Sequence, residues 1–400
     1  MRKILIVDFF ISGHHAEYLD HLVEYLVNGT PKQPQYVFLV HPKFNENFNY
    51  IVEKTKRTKG TTWVNIHDDE FRKINQGRLV QRSLRAFRIV DHYAKIHQIS
   101  HVLLMHFNLF QLALAIRRPS YTVSGILFLQ FFRMDRSTLK MRIKYFRKHL
   151  LTKLYCLNPR LRKVYILNDE KSASYLNAAF GTNIFEMLAD PIPELEPLPG
   201  FDVYNEFQIE EGRIILLHLG MLSNRKGTLE FIGSARFLSP QNQPKVALLV
   251  VGKAESESMA TDIRSEINRL EAISTAQVVW QDSFITSERM KSIFDQCHAV
   301  VIPYKTAEAS SGILGHAAAA NKPVITTGKG LLKEIVETYD LGLLIDDVDP
   351  ERVAQKIETL LGYSRWKSKS AEFLAERTRE SFASKIIKHT ETMEEESLTT

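Results

Sequence analysis

An α/β chain of two doubly wound domains is what this sequence predicts, on three observations. The chain opens with an apolar strand, a glycine turn and an amphipathic helix between Lys3 and Leu26. A linker-like stretch, Glu194 to Gly200 with Pro197 and Pro199, interrupts it, and strand-length apolar runs resume at Arg213. Ala299 to Thr327 then reads as strand, loop, helix and strand, the parallel crossover of α/β folds.

The first half follows in order. Lys3 to Asp8 is a buried strand, Ser12-Gly13-His14-His15 its exit loop, and His15 to Leu26 a helix with apolar spacing at Tyr18, Leu22 and Leu26. Only one glycine stands in that loop, so it is no dinucleotide fingerprint. Tyr36–Val40 and Trp63–Ile66 are strands. The acids Asp68, Asp69 and Glu70 sit at a helix start, where they favour the positive dipole end rather than a metal. Leu79 to His97 is helical, and His101 to His106 is a buried strand with His106 at its carboxyl end, the expected ligand side. Gly125 to Gln130 is a further strand.

Arg133 to Lys163 is basic, and within it Leu139, Ile143, Phe146, Leu150 and Leu154 recur at helical spacing. Two readings of this amphipathic helix stand open: docking on anionic lipid, or packing on the domain's sheet with a solvated basic face. Strand 162–167, helix 170–179 and strand 184–188 lead to Asp190-Pro191-Ile192-Pro193 and the linker.

In the second half, Arg213 to His218 starts a new sheet, followed by the loop Gly220 to Gly227 and a helix from Thr228 to Phe237. Val246–Gly252 and Gln277–Trp280 are strands. Val300 to Pro303 is the next, and Ser310 or Ser311 caps the helix that follows. The N–H groups of Ser311, Gly312 and Ile313 would form an anion site there, and Gly312 admits a phosphate closely. That helix ends at Asn321, which tolerates the left-handed terminal position, with Pro323 beyond. Leu341–Asp346 is the last strand, Asp349-Pro350 opens a helix to Leu361, and Trp366 to His389 reads as one charged helix.

Two motifs in this half resemble those of retaining GT-B glycosyltransferases of the large family four, the glycosyl transferases group 1. That family carries an acid, seven residues, a second acid, and a small-residue helix ending in Gly-x-Pro-Val. Glu308 stands at the first acid, His316 at the second, Asn321 at the glycine, and Pro323-Val324 complete the ending. The family also carries glycine, arginine, four residues, lysine and glycine. Lys226-Gly227 match, Met221 occupies the arginine position, and Arg225 offers a neighbouring cation.

The resemblance implies a GT-B fold, two Rossmann-like doubly wound domains facing each other across a cleft. Residues 1–195 would form the acceptor-side domain and 196–365 the nucleotide-sugar domain. Residues 366–400 would form a terminal helix crossing back, with a frayed tail. It implies transfer of a sugar from a nucleoside diphosphate sugar, UDP- or GDP-linked, to a hydroxyl of a saccharide or lipid-linked glycan, with retention. Lys226 and Arg225 would hold the diphosphate, since preoriented cations stabilise charge growing on a leaving group. Ser310, Ser311, Gly312 and Ile313 would cradle it. Glu308 would act at the donor sugar, His316 would bond the ribose, Gly13 would line the cleft, and His106 would join Glu308 as a catalytic residue, orienting the donor sugar or the acceptor by hydrogen bonding. The departures at Met221 and His316 keep two alternatives open: an inactive GT-B scaffold serving as a binding subunit, and a nucleotide-sugar epimerase.

Bulk properties fit this reading. Four hundred residues suffice for two full cores, and 44% hydrophobic with 24% charged residues is ordinary for a globular chain. The net charge of +6 suits anionic ligands or an anionic membrane surface. Cys156 and Cys297 suggest neither disulfide framework nor metal site, so a reducing cytoplasm is expected, with peripheral contact at the inner membrane face. The apolar run before Asp8 is too short for a signal peptide, and no segment approaches the ~20 apolar residues of a span. No aromatic-rich motif accompanies the basic helix, so nucleic acid is not an expected partner, and neither a metal nor a further cofactor is expected.

Overall fold

The computed structural model describes residues 3–11, 13–29, 34–56, 60–128, 130–306 and 311–397, with side chains through residue 391. The chain forms two units, Met1–Pro191 with Arg379–Thr400, and Ile192–Thr378.

Unit 1 is a seven-stranded parallel sheet: β1 (Lys3–Asp8), β2 (Gln35–Val40), β3 (Thr61–Asn65), β4 (His101–Leu104), β5 (Thr122–Leu127), β6 (Leu161–Leu167) and β7 (Phe185–Leu188). Their order is β3-β2-β1-β4-β5-β6-β7. In β1, Ile4 and Ile6 enter one core cluster while Leu5 and Val7 enter another. Burial on both faces is why these strands read as unbroken apolar runs rather than alternating ones. The chain steps outward from β1 to β3, then restarts at β4 on the other side. The carboxyl ends of β1 and β4 are therefore the switch point where sheets of this kind bind ligands. Helix α1 (His15–Val27) follows β1.

Helix α2 (Leu139–Cys156) is shorter than the basic segment that suggested it, because Leu161 already begins β6. It packs on unit 1 through Tyr145, Thr152, Tyr155 and Cys156, whereas Leu139, Ile143, Phe146, Leu150 and Leu154 are exposed. The strand expected at Gly125–Gln130 lies earlier, at β5, where it pairs with β4 from His101↔Thr122 onward.

Unit 2 is a six-stranded parallel sheet: β8 (Ile214–Leu219), β9 (Val246–Val251), β10 (Gln277–Gln281), β11 (Ala299–Ile302), β12 (Val324–Thr327) and β13 (Gly342–Ile345), in the order β10-β9-β8-β11-β12-β13. Its switch point lies between β8 and β11. After β8 comes α3 (Thr228–Gly233), which continues as a 3₁₀ turn over Ser234–Phe237 rather than as the single helix expected. After β11 comes α4 (Gly312–Ala319), with Ser311 at its N-cap position. Asn321 adopts φ +52°, the left-handed geometry asparagine tolerates.

The terminal helix expected from Trp366 to His389 is instead two, α5 (Ser370–Ala375) and α6 (Arg379–Ser397). Phe373 of α5 is buried in the core of unit 2, and Arg377 lies 3.8 Å over its ring. Phe382, Ile386 and Ile387 of α6 are buried in unit 1 beside Ile4 and Leu22, each contributing about 1.5–3 kcal/mol. Residues 366–378 thus belong to unit 2. The other division falls after Pro191, not after 195, because the Ile192 N–H donates to the Arg377 carbonyl.

Candidate functional site

In unit 2, a buried histidine ties the two loops of the switch point to the sheet. His218 is the penultimate residue of β8, with Nδ1 2.9 Å from the Val301 carbonyl and Nε2 3.0 Å from Thr228 Oγ1. A carbonyl only accepts, so Nδ1 carries the proton and Nε2 accepts from the Thr228 hydroxyl. Burial holds this imidazole neutral, its pKa lowered to about 4. The Ser223 N–H donates to Thr228 Oγ1, which fixes the loop between β8 and α3.

That loop and the one after β11 meet backbone to backbone. Gly227 has φ +69°, and a Cβ there would fall 2.1 Å from the Pro303 carbonyl oxygen. The Lys305 N–H donates to the Arg225 carbonyl at 2.9 Å. Lys226 lies over the glycine that opens the loop: a Cβ on Gly220 would come within 2.6 Å of its Nζ. Burial and then the charge of Arg225 lower the Lys226 ammonium to about 8. Among the described residues no carboxylate pairs with Lys226 Nζ. The cations of Arg225 and Lys226 each lie 5.6 Å from the centre of the buried Tyr304 ring.

Tyr304 links these cations to α4, its hydroxyl standing 3.2 Å from Ser311 Oγ. Ser311 consequently gives α4 no side-chain cap. The N–H groups of Gly312 and Ile313 in the first turn find no acceptor in its side chain, and a helix N-terminus of this kind favours an anion. Gly312 is exposed, while the Ile313 side chain packs against the core. His316, one turn on, is half-buried with its ring 5.6 Å from that of Phe294. Glu308 and Ser310 lie outside the described residues. The structure therefore gathers Lys226, Arg225, Ser311, Gly312 and Ile313 at one end of unit 2. Sequence reasoning missed Tyr304, which joins them. Its place directly after β11 and Pro303 was the available signal.

The switch point of unit 1 gathers other chemistry. Asp8 ends β1, fully buried, with Oδ2 2.8 Å from His15 Nδ1 and Oδ1 accepting the Phe10 N–H at 3.0 Å. Burial raises its carboxyl above the ordinary value, and the His15 hydrogen bond opposes that. His106, just beyond β4, lies with its ring 4.7 Å from Phe10, 5.2 Å from Phe128 and 5.6 Å from His15. Burial, then the charge of His15, lowers its pKa to about 4. Its Nδ1 is buried without a hydrogen-bond partner among the described residues. Gly13 is exposed in the left-handed region at φ +70°, with open space around it. The sequence pointed to His106 and placed His15 only in the loop and helix start after β1. Asp8, read only as a break in an apolar run, is the group that joins one of them to the sheet.

These two arrangements can be set beside known proteins. Residues 213–362 match the family model described as glycosyl transferases group 1. The trehalose-6-phosphate protein from E. coli bound with UDP-2-fluoro glucose superposes with a TM-score of 0.69 at 11% identity, over 97% of this chain and 98% of that one.

The chain has the GT-B fold.

Two further GT-B structures extend the likeness. Sucrose-phosphate synthase from Thermosynechococcus elongatus gives a TM-score of 0.65 at 13% identity, over 100% and 99% of the two chains. Anabaena HepE in complex with UDP and glucose gives 0.63 at 15% identity, over 98% and 100%. At such identities the likeness establishes the fold alone. No curated protein sequence matches the chain. The family match covers both loops of the unit 2 switch point, the same residues that carry the motifs. Among the described residues of this GT-B chain, no helix is long and apolar enough to cross a membrane.

Proposed function

We propose that the protein is a glycosyltransferase that moves a sugar from a nucleoside diphosphate sugar to a hydroxyl of a saccharide or lipid-linked glycan, with retention. Unit 2 binds the donor. Lys226 and Arg225 neutralise the diphosphate on one side, and the N–H groups of Gly312 and Ile313 on the other. The observation that carries this is the half-buried Lys226 ammonium, joined through Tyr304 to a helix N-terminus that the Ser311 side chain does not cap. A diphosphate is an anion that satisfies both. Two cations and a helix dipole do the neutralising that a metal would otherwise do, and the charge they stabilise grows as the bond to the sugar breaks. His316 reaches the ribose hydroxyls, and Glu308 acts at the donor sugar. Unit 1 holds the acceptor at its own switch point. There Asp8 orients His15, and His106 offers a hydroxyl its neutral imidazole, whose Nδ1 has no partner among the described residues.

A donor panel tests this reading. UDP, GDP and ADP and their glucose conjugates are each titrated while the melting temperature is followed. A ligand that binds only the folded state stabilises it with the logarithm of its concentration. One nucleoside diphosphate series, UDP- or GDP-linked, is expected to raise the melting temperature. Mass detection of sugar transfer or donor hydrolysis then separates a transferase from a binding subunit. Product formed from donor alone, with the sugar epimerised, would instead favour an epimerase. No shift with any nucleoside diphosphate would overturn the proposal.

A further inference from the structure

Helix α2 carries an apolar stripe that none of the described residues of unit 1 covers. Leu139, Ile143, Phe146, Leu150, Leu154 and Leu157 are 74, 53, 64, 46, 41 and 65% exposed. Their successive spacings of four, three, four, four and three keep them on one face of the helix and the residue that follows it. The opposite face, with Tyr145, Thr152 and Tyr155, is the one held by the core. An apolar helix face in water has no energetic reason to persist on a soluble surface, and a contiguous one marks an interaction site.

Charge decides the partner. From Arg136 to Asn168 the sequence contains no Asp or Glu. At helical spacing, Lys140, Lys144 and Arg147 flank the stripe on one side, and Arg142 and Lys153 on the other, all exposed. A second copy of this helix would set cations against cations. An acidic protein groove would match the charge, but nothing else on the molecule points to one. An anionic bilayer accepts both features at once, apolar side chains below the headgroups and cations among them.

We propose that α2 is a membrane-docking helix, lying in the plane of an anionic lipid surface with this stripe inserted. The proposal is independent of the donor chemistry in unit 2. Docking would hold unit 1 at the surface where a lipid-linked hydroxyl is presented.

The test is co-sedimentation of the full chain with vesicles of phosphatidylcholine alone, and of phosphatidylcholine mixed with phosphatidylglycerol. Binding is expected only to the mixed vesicles, and weaker at high salt, because screening removes the charge contribution. The combined variant Ile143→Ser, Phe146→Ser, Leu150→Ser is expected to lose it. Its melting temperature should stay within about 2 °C, since the altered side chains already face water. The pair Lys140→Glu, Arg147→Glu serves as a second, independent variant and is also expected to lose binding. Failure of the unaltered protein to bind would overturn the proposal, as would retention by either variant. So would a concentration-dependent dimer, seen in sedimentation equilibrium, that the triple variant dissolves without any vesicle binding.

Discussion

At the crossing of β8 and β11 the second unit presents Arg225, Lys226 and the first turn of α4. At the crossing of β1 and β4 the first unit presents Asp8, His15 and His106. The two places are topologically equivalent, each the carboxyl end of the central strand pair in a doubly wound parallel sheet. Their electrostatics differ in kind. In unit 2 a cation is held half-buried beside Arg225, and burial, then that neighbouring charge, lower its pKa to about 8. In unit 1 the carboxylate is buried, a histidine is bonded to it, and a second histidine is kept neutral at about 4. The fold supplies a location for ligands, and on the proposed function a few side chains set what each location would accept: anions in one case, hydroxyls in the other.

The comparison can be broken most sharply by removing the cation. Lys226→Met is expected to lower turnover about 10²–10³-fold, the usual cost of losing one preoriented electrostatic group at a reacting centre. Turnover within twofold of the unaltered protein would mean that unit 2 is not where charge develops. Steady-state kinetics on the donor identified by the panel makes the measurement.

A smaller effect, in pH, sharpens the contrast. The folded Lys226 ammonium loses its proton at about 8, below its ordinary 10.5. Between those values the folded state binds fewer protons than the unfolded, so this group makes stability rise with pH across that window. His106, lowered from 6.5 to about 4, acts with the same sign between pH 4 and 6.5. Asp8, raised by burial, opposes it there. The readout is therefore a difference. Urea unfolding of unaltered protein minus His106→Asn should show this rise in the acidic window alone, and minus Lys226→Met in the alkaline window alone. Identical profiles for the two variants would remove the distinction between the sites.

Much of this arrangement is legible in the sequence. Strand-length apolar runs such as Val246–Val251 announce a sheet buried on both faces, and Asn321-Lys322-Pro323 announces a helix end. Lys226 is legible because a glycine is needed beside it, at Gly227, where two backbones approach closely. Tyr304 and the Asp8–His15 pair are not. Their roles depend on which side chain a loop or helix start brings against which strand end, and residues seven positions apart reveal no such pairing by periodicity. The break between α5 and α6 was hidden for a related reason. Helical spacing continues through residues 370–389, but Phe373 and Phe382 are buried in different cores. The apolar stripe of α2 shows the converse: spacing identified the face correctly and could not say whether protein or water lay against it.

The central claim is that the loop and helix tip of unit 2 form a socket for a nucleoside diphosphate while unit 1 does not. Calorimetric titration at pH 7, using the nucleoside diphosphate that gives the larger shift in the panel, tests it most directly. Lys226→Met is expected to weaken binding at least tenfold, about 1.4 kcal/mol, with His106→Asn within twofold of the unaltered protein. Equal affinity in Lys226→Met, or the larger loss in His106→Asn, would contradict the account.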